Sequence, residues 1–115
     1  MVLDSACVFC AIVNGGISAD IVFRDENILA FNDIDPQAPT HVLIVPTLHV
    51  ENSTQLALIS PTTTAQLFTV AAHIAAQRGL TSFRTVCNTG AEAGQSVFHA
   101  HLHLLGGRRL AWPPG

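Results

Sequence analysis

The chain has 115 residues, of which 49% are hydrophobic and 11% charged, with five arginines, no lysine and a net charge of −3. This length predicts a single domain spanning residues 1–115. The lack of a basic run argues against nucleic acid as a partner, and the lack of a long apolar run argues against a membrane span. The three cysteines are an odd number, and no basic segment precedes an apolar one at the N-terminus, so we expect a cytoplasmic protein with reduced cysteines.

The first half of the chain predicts a short helix and three strands. Residues 7–13 are apolar and predict a short helix or turn. Residues 20–24 and 27–32 predict two short strands. Two prolines break residues 33–39 into a loop. Residues 41–46 are too apolar for a solvated strand, so they predict a strand in the core.

The longest helix is predicted at residues 60–79. Ser60 is a good N-cap, Pro61 suits the first helical position and Gly79 suits the residue after the last turn. Apolar residues at helical spacing predict the buried face: Leu67, Val70, Ala71, Ile74 and Ala75. The outward face carries threonine and glutamine rather than charges. Because the whole chain has so few charges, we expect apolar surface to be buried between two copies in a homodimer.

The last third of the chain predicts two more strands. Residues 83–88 predict one strand, residues 89–95 a glycine-containing loop, and residues 96–105 the other strand. Residues 106–115 are too rich in glycine and proline for extended regular structure. Together the elements predict an α+β fold, with a five-stranded antiparallel sheet, one long helix and a short N-terminal helix.

Three histidines alternate with apolar residues in the last predicted strand. Alternate residues of a strand share a face, so His99, His101 and His103 form a row of imidazoles. The opposite face is predicted to enter the core with Ala100, Leu102 and Leu104. Neighbouring imidazolium charges repel one another, which lowers the mean pKa of the row. Imidazoles that are neutral near pH 7 suit a nucleophile, an acid–base group or a metal ligand, so the pattern favours a functional role.

A Cys-x-x-Cys pair lies near the N-terminus at Cys7 and Cys10. Taken alone, the pair is compatible with a metal site, a redox pair or coincidence. A thioredoxin-like pair follows a strand in a βαβ unit, and nothing of that kind precedes this pair. Structural zinc needs four ligands, typically including two cysteines and two histidines.

Residues 99–105 read His-φ-His-φ-His-φ-φ, where φ is apolar, and this run resembles the signature of the histidine triad superfamily. Gly-Gly-Arg at 106–108 and Trp-Pro-Pro-Gly at 112–115 resemble its nucleoside phosphoramidase branch, the histidine triad nucleotide-binding proteins. The resemblance extends from about Cys7 to the last residue and implies an α+β homodimer whose sheets join across the interface. Further segments are similar in order and spacing: residues 31–34, 39–46 and 94–98.

The resemblance implies an enzyme that cleaves purine nucleoside 5′-phosphoramidates. It makes His101 the nucleophile, with Nδ1–H held by a backbone carbonyl and the Nε2 lone pair free to attack the α-phosphorus and expel an amine. A nucleotidyl-histidine intermediate forms, and water hydrolyses it. His103 and His41 lie beside the phosphate, and either can protonate the leaving group.

The same resemblance suggests the substrate-binding residues. Ser96, which we count with the catalytic residues, joins Asn88 and Gln95 in donating to the phosphoryl oxygens or the leaving group. Backbone N–H groups as far as Val97 can add further donors. Asp33 is expected to accept from both ribose hydroxyls. The apolar slot for the base is expected at Ile17, Phe31 and Ile34.

Zinc-binding members of the superfamily hold the metal with a cysteine pair, a histidine after the proline-containing strand and the first triad histidine. The matching positions are Cys7, Cys10, His49 and His99. If zinc binds there, His99 is a structural clamp that ties the N-terminus to the strand carrying His101. The cysteine pair thus resembles the zinc-containing branch, whereas the tail resembles the phosphoramidase branch.

Three other functions remain open from the sequence. One is a non-catalytic, nucleotide-binding regulatory dimer, which would not need an intact middle histidine. Another is a dinucleoside polyphosphate hydrolase or a nucleotidyl transferase, which turnover of matched substrates would separate from a phosphoramidase. A purely structural zinc module is disfavoured because it leaves His101, His103 and His41 without a role.

Overall fold

The computed structural model of the chain describes residues 6–115. It contains three α-helices, one short 3₁₀ turn at Ala91–Ala93 and five strands, within the described residues. The elements in chain order are α1 (Val8–Val13), β1 (Ile21–Arg24), β2 (Ile28–Asn32), β3 (Thr40–Pro46), α2 (Ser53–Ile59), α3 (Pro61–Gln77), β4 (Phe83–Val86) and β5 (Leu102–Gly106).

The five strands form one open antiparallel sheet in the order β1-β2-β3-β5-β4. The central strand β3 is buried at every residue, as its uninterrupted apolar sequence predicts. It pairs with β2 through Leu29 opposite Val45, and with β5 through Leu43 opposite His103. This pairing carries the third histidine of the triad to the middle of the sheet. The α+β fold with a five-stranded antiparallel sheet is confirmed.

Alternate residues of the sheet face two separate cores. On one face, Ala100, Leu102 and Leu104 pack in a cluster with residues of α2 and α3, as the alternation in the histidine segment predicts. On the other face, Leu43 and Val45 pack with α1 through the apolar residues Phe9, Ile12 and Val13. The short helix α1 therefore covers the face of the sheet opposite to α3.

The long helix α3 begins and ends where its sequence predicts. The N–H of Thr63 donates to Oγ of Ser60 at 3.4 Å, and Pro61 occupies the first turn. Gly79 follows the helix with a φ of +68°, a left-handed conformation that favours glycine at this position. The N–H of Leu80 then donates to the carbonyl of Ala75 at 2.9 Å and closes the helix.

Helix α2 was not predicted from the sequence. Asn52 caps it by accepting from the N–H of Gln55 at 2.8 Å. Only Ser53 and Leu56 are buried along its seven residues, so the helix shows too little periodicity to be recognised. No helix within residues 6–115 has the length and apolar character that a membrane crossing requires.

The histidine strand is shorter than predicted, because ladder pairing starts at Leu102 rather than at residue 96. Before that point the chain bonds to the segment after β3. The N–H of Ala100 donates to the carbonyl of Val50 at 2.7 Å, and Nε2 of His99 lies 2.8 Å from the carbonyl oxygen of Pro46. Strand β4 likewise ends at Val86, two residues before its predicted end.

Candidate active site and metal cluster

His101 is held with one nitrogen fixed and the other free. Its Nδ1 lies 2.7 Å from the carbonyl oxygen of His99, so Nδ1 carries the proton and donates it. Nε2 is left with an unshared electron pair, and His101 lines a cavity of about 400 Å³. Burial lowers the pKa of His101, although the bond to His99 and the charge of Asp33 offset part of this effect. The ring is thus neutral near pH 7 and can offer an electron pair at Nε2.

His103 and His41 form a hydrogen-bonded pair beside His101. The N–H of Gln37 donates to Nδ1 of His41 at 3.0 Å, so a neutral His41 carries its proton on Nε2. That nitrogen lies 2.9 Å from Nδ1 of His103 and 3.4 Å from Oδ2 of Asp33. His103 accepts at Nδ1 and therefore carries its own proton on Nε2. The ring centroids of His103 and His101 are 5.0 Å apart, so an imidazole that carries an N–H lies next to the unshared electron pair of His101.

The pKa values of the triad are lowered chiefly by burial. Burial lowers the pKa of His103 to about 4, with smaller contributions from His101 and His41. Burial also lowers the pKa of His99 to about 4. The direction of these pKa shifts agrees with the prediction from the sequence, which explained them by repulsion between neighbouring imidazolium rings. Repulsion is the smaller cause, because each ring is first removed from water.

The cavity in front of His101 and His103 has a volume of about 400 Å³. Its deeper wall is apolar, with Phe31 and Leu43 from neighbouring strands, and Ile34 lies at its rim with its side chain fully exposed. Polar groups surround the end near the histidines. The predicted residues that line this cavity are Ile17, Phe31, Asp33, Ile34, Asn88, Ser96, Val97, His101 and His103. His41 is not among the lining residues, but it contacts two that are, His103 and Asp33.

One wall of the cavity was missed in the sequence. Val8, Phe9 and Ile12 line it from α1, and Ser18 and Ala19 continue the wall beyond that helix. The spacing of the three apolar residues places them on one face of a helix, which is a usable signal. A helix of six residues shows this periodicity over too short a length to be recognised with certainty.

Gln95 has a different environment from the one predicted for a phosphate ligand. Its Nε2 donates to the carbonyls of Glu51 and Val97 at 2.8 and 3.0 Å, and its Oε1 accepts from the N–H of Gly90 at 2.9 Å. The buried amide therefore satisfies backbone groups of Gly90, Glu51 and Val97 around the loop. Gly94 has a φ of +102°, which brings backbone close to the amide of Asn88.

Cys7, Cys10, His49 and His99 form a second cluster, in which the four ligand atoms all lie within 4.8 Å of one another. Sγ of Cys10 is 3.2 Å from Nδ1 of His49, and Sγ of Cys7 is 3.4 Å from Nδ1 of His99. Nε2 of His99 donates to the carbonyl of Pro46, which leaves Nδ1 as an electron-pair donor. Two thiols and two imidazoles are the donor set that zinc prefers. The cluster fits a zinc ion.

Comparison with known proteins identifies the family. The HIT domain matches residues 14–110. A 14 kDa zinc-binding protein of Zea mays is 44% identical over 116 residues, covering 97% of this chain and 90% of that protein. The purine nucleoside phosphoramidase of Escherichia coli K12 is 41% identical over 105 residues, covering 90% and 88%.

Solved structures agree with this assignment. The crystal structure of a HIT family hydrolase from Legionella pneumophila Philadelphia 1 matches with a TM-score of 0.91 and 46% identity, covering 95% of this chain and 99% of that one. A histidine triad protein from Clostridium difficile matches with a TM-score of 0.90 and 36% identity, covering 96% and 97%. The resemblance in sequence is thus confirmed, and the chain belongs to the HIT family.

Proposed function

We propose that this protein hydrolyses purine nucleoside 5′-phosphoramidates, with His101 as the nucleophile. The observation that carries the proposal is the fixed tautomer of His101, whose Nδ1 bonds to a carbonyl at 2.7 Å and whose Nε2 is free at the cavity. A ring that binds substrate without reacting has no need of this arrangement. The 41% identity to the purine nucleoside phosphoramidase of Escherichia coli supports the choice of substrate.

The cavity accommodates a nucleotide in one orientation. A purine base suits the apolar wall formed by Phe31 and by residues of α1. The carboxylate of Asp33 then accepts from the ribose hydroxyls between the base and the histidines. The phosphate reaches the donors of Ser96 and Asn88 and the free nitrogen of His101. Charge that develops on the phosphoryl oxygens is stabilised by these preorganised donors.

The reaction proceeds in two steps. Nε2 of His101 forms a bond to phosphorus, and the phosphorus–nitrogen bond breaks as the amine takes a proton from the His41–His103 pair, which is cationic in the bound complex because the anionic phosphate and Asp33 favour its protonated form. In the second step, water attacks phosphorus, returns a proton to the pair and releases His101 with the nucleoside monophosphate. The Nε2–H of His103, whose ring lies 5.0 Å from that of His101 and lines the same cavity, is the proposed donor.

Turnover of an adenosine 5′-phosphoramidate that carries a fluorogenic amine tests this proposal. We expect turnover by the wild type and a loss of several orders of magnitude in His101→Ala. A wild type that binds AMP without turning over the phosphoramidate would instead favour a regulatory binding protein. Turnover of diadenosine polyphosphates in preference to phosphoramidates would favour a polyphosphate hydrolase.

We also propose that the cluster of Cys7, Cys10, His49 and His99 holds a structural zinc ion. Two residues come from the start of the chain, one from the segment after β3 and one from the segment before β5. A bound ion would join these three segments and supply cross-linking rather than chemistry, since the nucleophile lies outside the donor set. The zinc-binding protein of Zea mays, 44% identical, supports the assignment.

Two copies of the chain are proposed to form a homodimer through the open edge of the sheet. Strand β4 is an edge strand, and Phe83 on it is 44% exposed. Phe68 on α3 is 49% exposed. An unpaired strand edge together with exposed apolar side chains favours pairing with a second copy. Sedimentation is expected to show a dimer at micromolar concentration and a monomer for Phe83→Asp, whereas a monomeric wild type would refute the dimer.

A further inference from the structure

One side chain, Phe9, contacts both the metal cluster and the candidate active site. It is a buried residue of α1 and lies between the two cysteines of the cluster along the chain. Its ring centroid lies 6.0 Å from that of His99 and 5.2 Å from that of His101, in edge-to-face geometry with both. Phe9 also packs on Phe31 at 5.5 Å and lines the nucleotide cavity. The same ring thus meets a cluster ligand, the nucleophile and the proposed base pocket.

The backbone provides a second connection between the two sites. His99 belongs to the metal cluster through Nδ1, while its carbonyl oxygen accepts the Nδ1–H of His101 at 2.7 Å. A shift of His99 would therefore change the direction in which Nε2 of His101 points. The fixed side chain of His99 and the position of Phe9 both constrain this shift.

Helix α1 depends on other parts of the molecule for its position. A helix of six residues is not stable by itself in water. Cys7 is its N-cap and Cys10 lies one turn further on, so two of the four cluster ligands hold this helix. The same helix presents Val8, Phe9 and Ile12 to the cavity. An ion in the cluster would fix the cavity wall along with its own ligands.

We propose that Phe9 is a positioning residue that couples the metal cluster to the nucleotide cavity, so that zinc binding and nucleotide binding strengthen each other. The inference rests on the proposed function and adds a linkage between its two sites. Binding free energies are reciprocal, so zinc must raise the affinity for a nucleotide by the same factor as the nucleotide raises the affinity for zinc.

The test measures this factor from both directions. Calorimetry gives the affinity for AMP of the zinc-loaded and the zinc-depleted protein. A chromogenic chelator gives the rate and extent of zinc release with and without AMP. We expect AMP to bind more tightly to the zinc-loaded protein by about 5- to 150-fold, the usual range of coupling between sites, and to slow zinc release. The release experiment starts from folded, zinc-loaded protein, so it applies even if the depleted protein unfolds.

Two variants assign the coupling to Phe9. Phe9→Leu keeps an apolar side chain and is expected to retain zinc at the wild-type ratio while losing most of the effect of AMP on zinc release. Phe23→Leu is the matched control, because Phe23 on β1 packs against the core on the opposite face of the sheet, which contains residues of α2 and α3. This variant is expected to retain the full effect of AMP on zinc release. With Co²⁺ in place of zinc, AMP is expected to shift the visible absorption bands of the wild type and not those of Phe9→Leu.

The outcomes separate the inference from the proposed function. If AMP binds equally with and without zinc, or if Phe9→Leu keeps the full coupling, the inference is wrong and the hydrolase proposal stands. If the cluster binds no zinc, the inference is likewise wrong. If AMP binds neither form of the protein, both proposals fail.

Discussion

Nε2 of His41 lies 2.9 Å from Nδ1 of His103, while the N–H of Gln37 donates to the other nitrogen of His41. Two successive hydrogen bonds thus set the tautomers of both rings, and His103 carries its proton on Nε2, with its ring 5.0 Å from that of His101. Because the tautomer of His103 depends on that of His41, we expect the two histidines to act as one proton-transfer unit.

The first prediction concerns this unit. His103→Asn and His41→Asn are each expected to lower the single-turnover rate on a phosphoramidate by about 10²- to 10⁴-fold, the usual contribution of general acid–base catalysis. The double variant is expected to lose little more than the worse single variant, because the residues share one role. His73→Asn, at an exposed position on α3, serves as the control and is expected to leave the rate unchanged. Losses that multiply in the double variant would show that the two histidines act independently.

The second prediction concerns pH. Burial lowers the pKa of His103 to about 4 from its ordinary value of 6.5, so between these values the unfolded chain binds more protons than the folded one. This contribution to stability is present above pH 6.5 and is lost as the pH falls toward about 4. Urea unfolding of the wild type should therefore show a free energy that falls on acidification. The free energy of unfolding should fall less on acidification in His103→Gln than in the wild type. An identical fall in both proteins would show that the lowered pKa of His103 does not cause it.

The third prediction tests Asp33 as the ribose acceptor. Asp33→Asn is expected to weaken binding of AMP by about 10- to 100-fold, since a hydrogen bond to a charged group contributes about 1.5–3 kcal/mol. The carboxylate also lies 3.4 Å from His41, so a control ligand is needed. Binding of 2′,3′-dideoxy AMP, measured by calorimetry, should change little in the variant. If the variant binds both ligands more weakly to the same extent, Asp33 acts through its contact with His41 and not through the ribose hydroxyls.

The fourth prediction concerns the metal cluster. Cys10→Ser is expected to reduce the zinc content found by elemental analysis and to lower the melting temperature, because the ion would join three separate segments. Cys87→Ser is the matched control, since Cys87 is exposed and lies outside the cluster. Wild-type protein purified without chelator and found to contain no zinc would contradict the zinc assignment.

The elements that follow local rules could be predicted from the sequence. Helix α3 has a serine cap, an initial proline and a final glycine, and β3 is a continuous apolar run, so both are encoded by nearby residues. The start of β5 could not be predicted. Its boundary depends on bonds from Ala100 to Val50 and from His99 to Pro46, which join residues about fifty positions apart.

The candidate site was predictable to a similar extent. The alternation in the sequence placed the histidine row, and the family resemblance added Asp33 and the four cluster residues. The structure brings His101, His103 and Asp33 to one cavity and the four cluster residues to another site. The α1 wall of the cavity was missed because its periodic signal spans only six residues. Gln95 was assigned to the phosphate from its place in a motif, whereas its amide satisfies backbone groups of the loop instead. Such use of a side chain depends on tertiary contacts that spacing does not encode.

The measurement that tests the central claim most directly is detection of the covalent intermediate. The wild type is mixed with an adenosine 5′-phosphoramidate, quenched within one turnover, digested and analysed by mass spectrometry under conditions that preserve phosphorus–nitrogen bonds. We predict an adenylyl group on the peptide that contains His101, located on that ring and lacking in His101→Ala. Turnover with no adduct at any time point, or an adduct on His103 or His41, would contradict the assignment of His101 as the nucleophile.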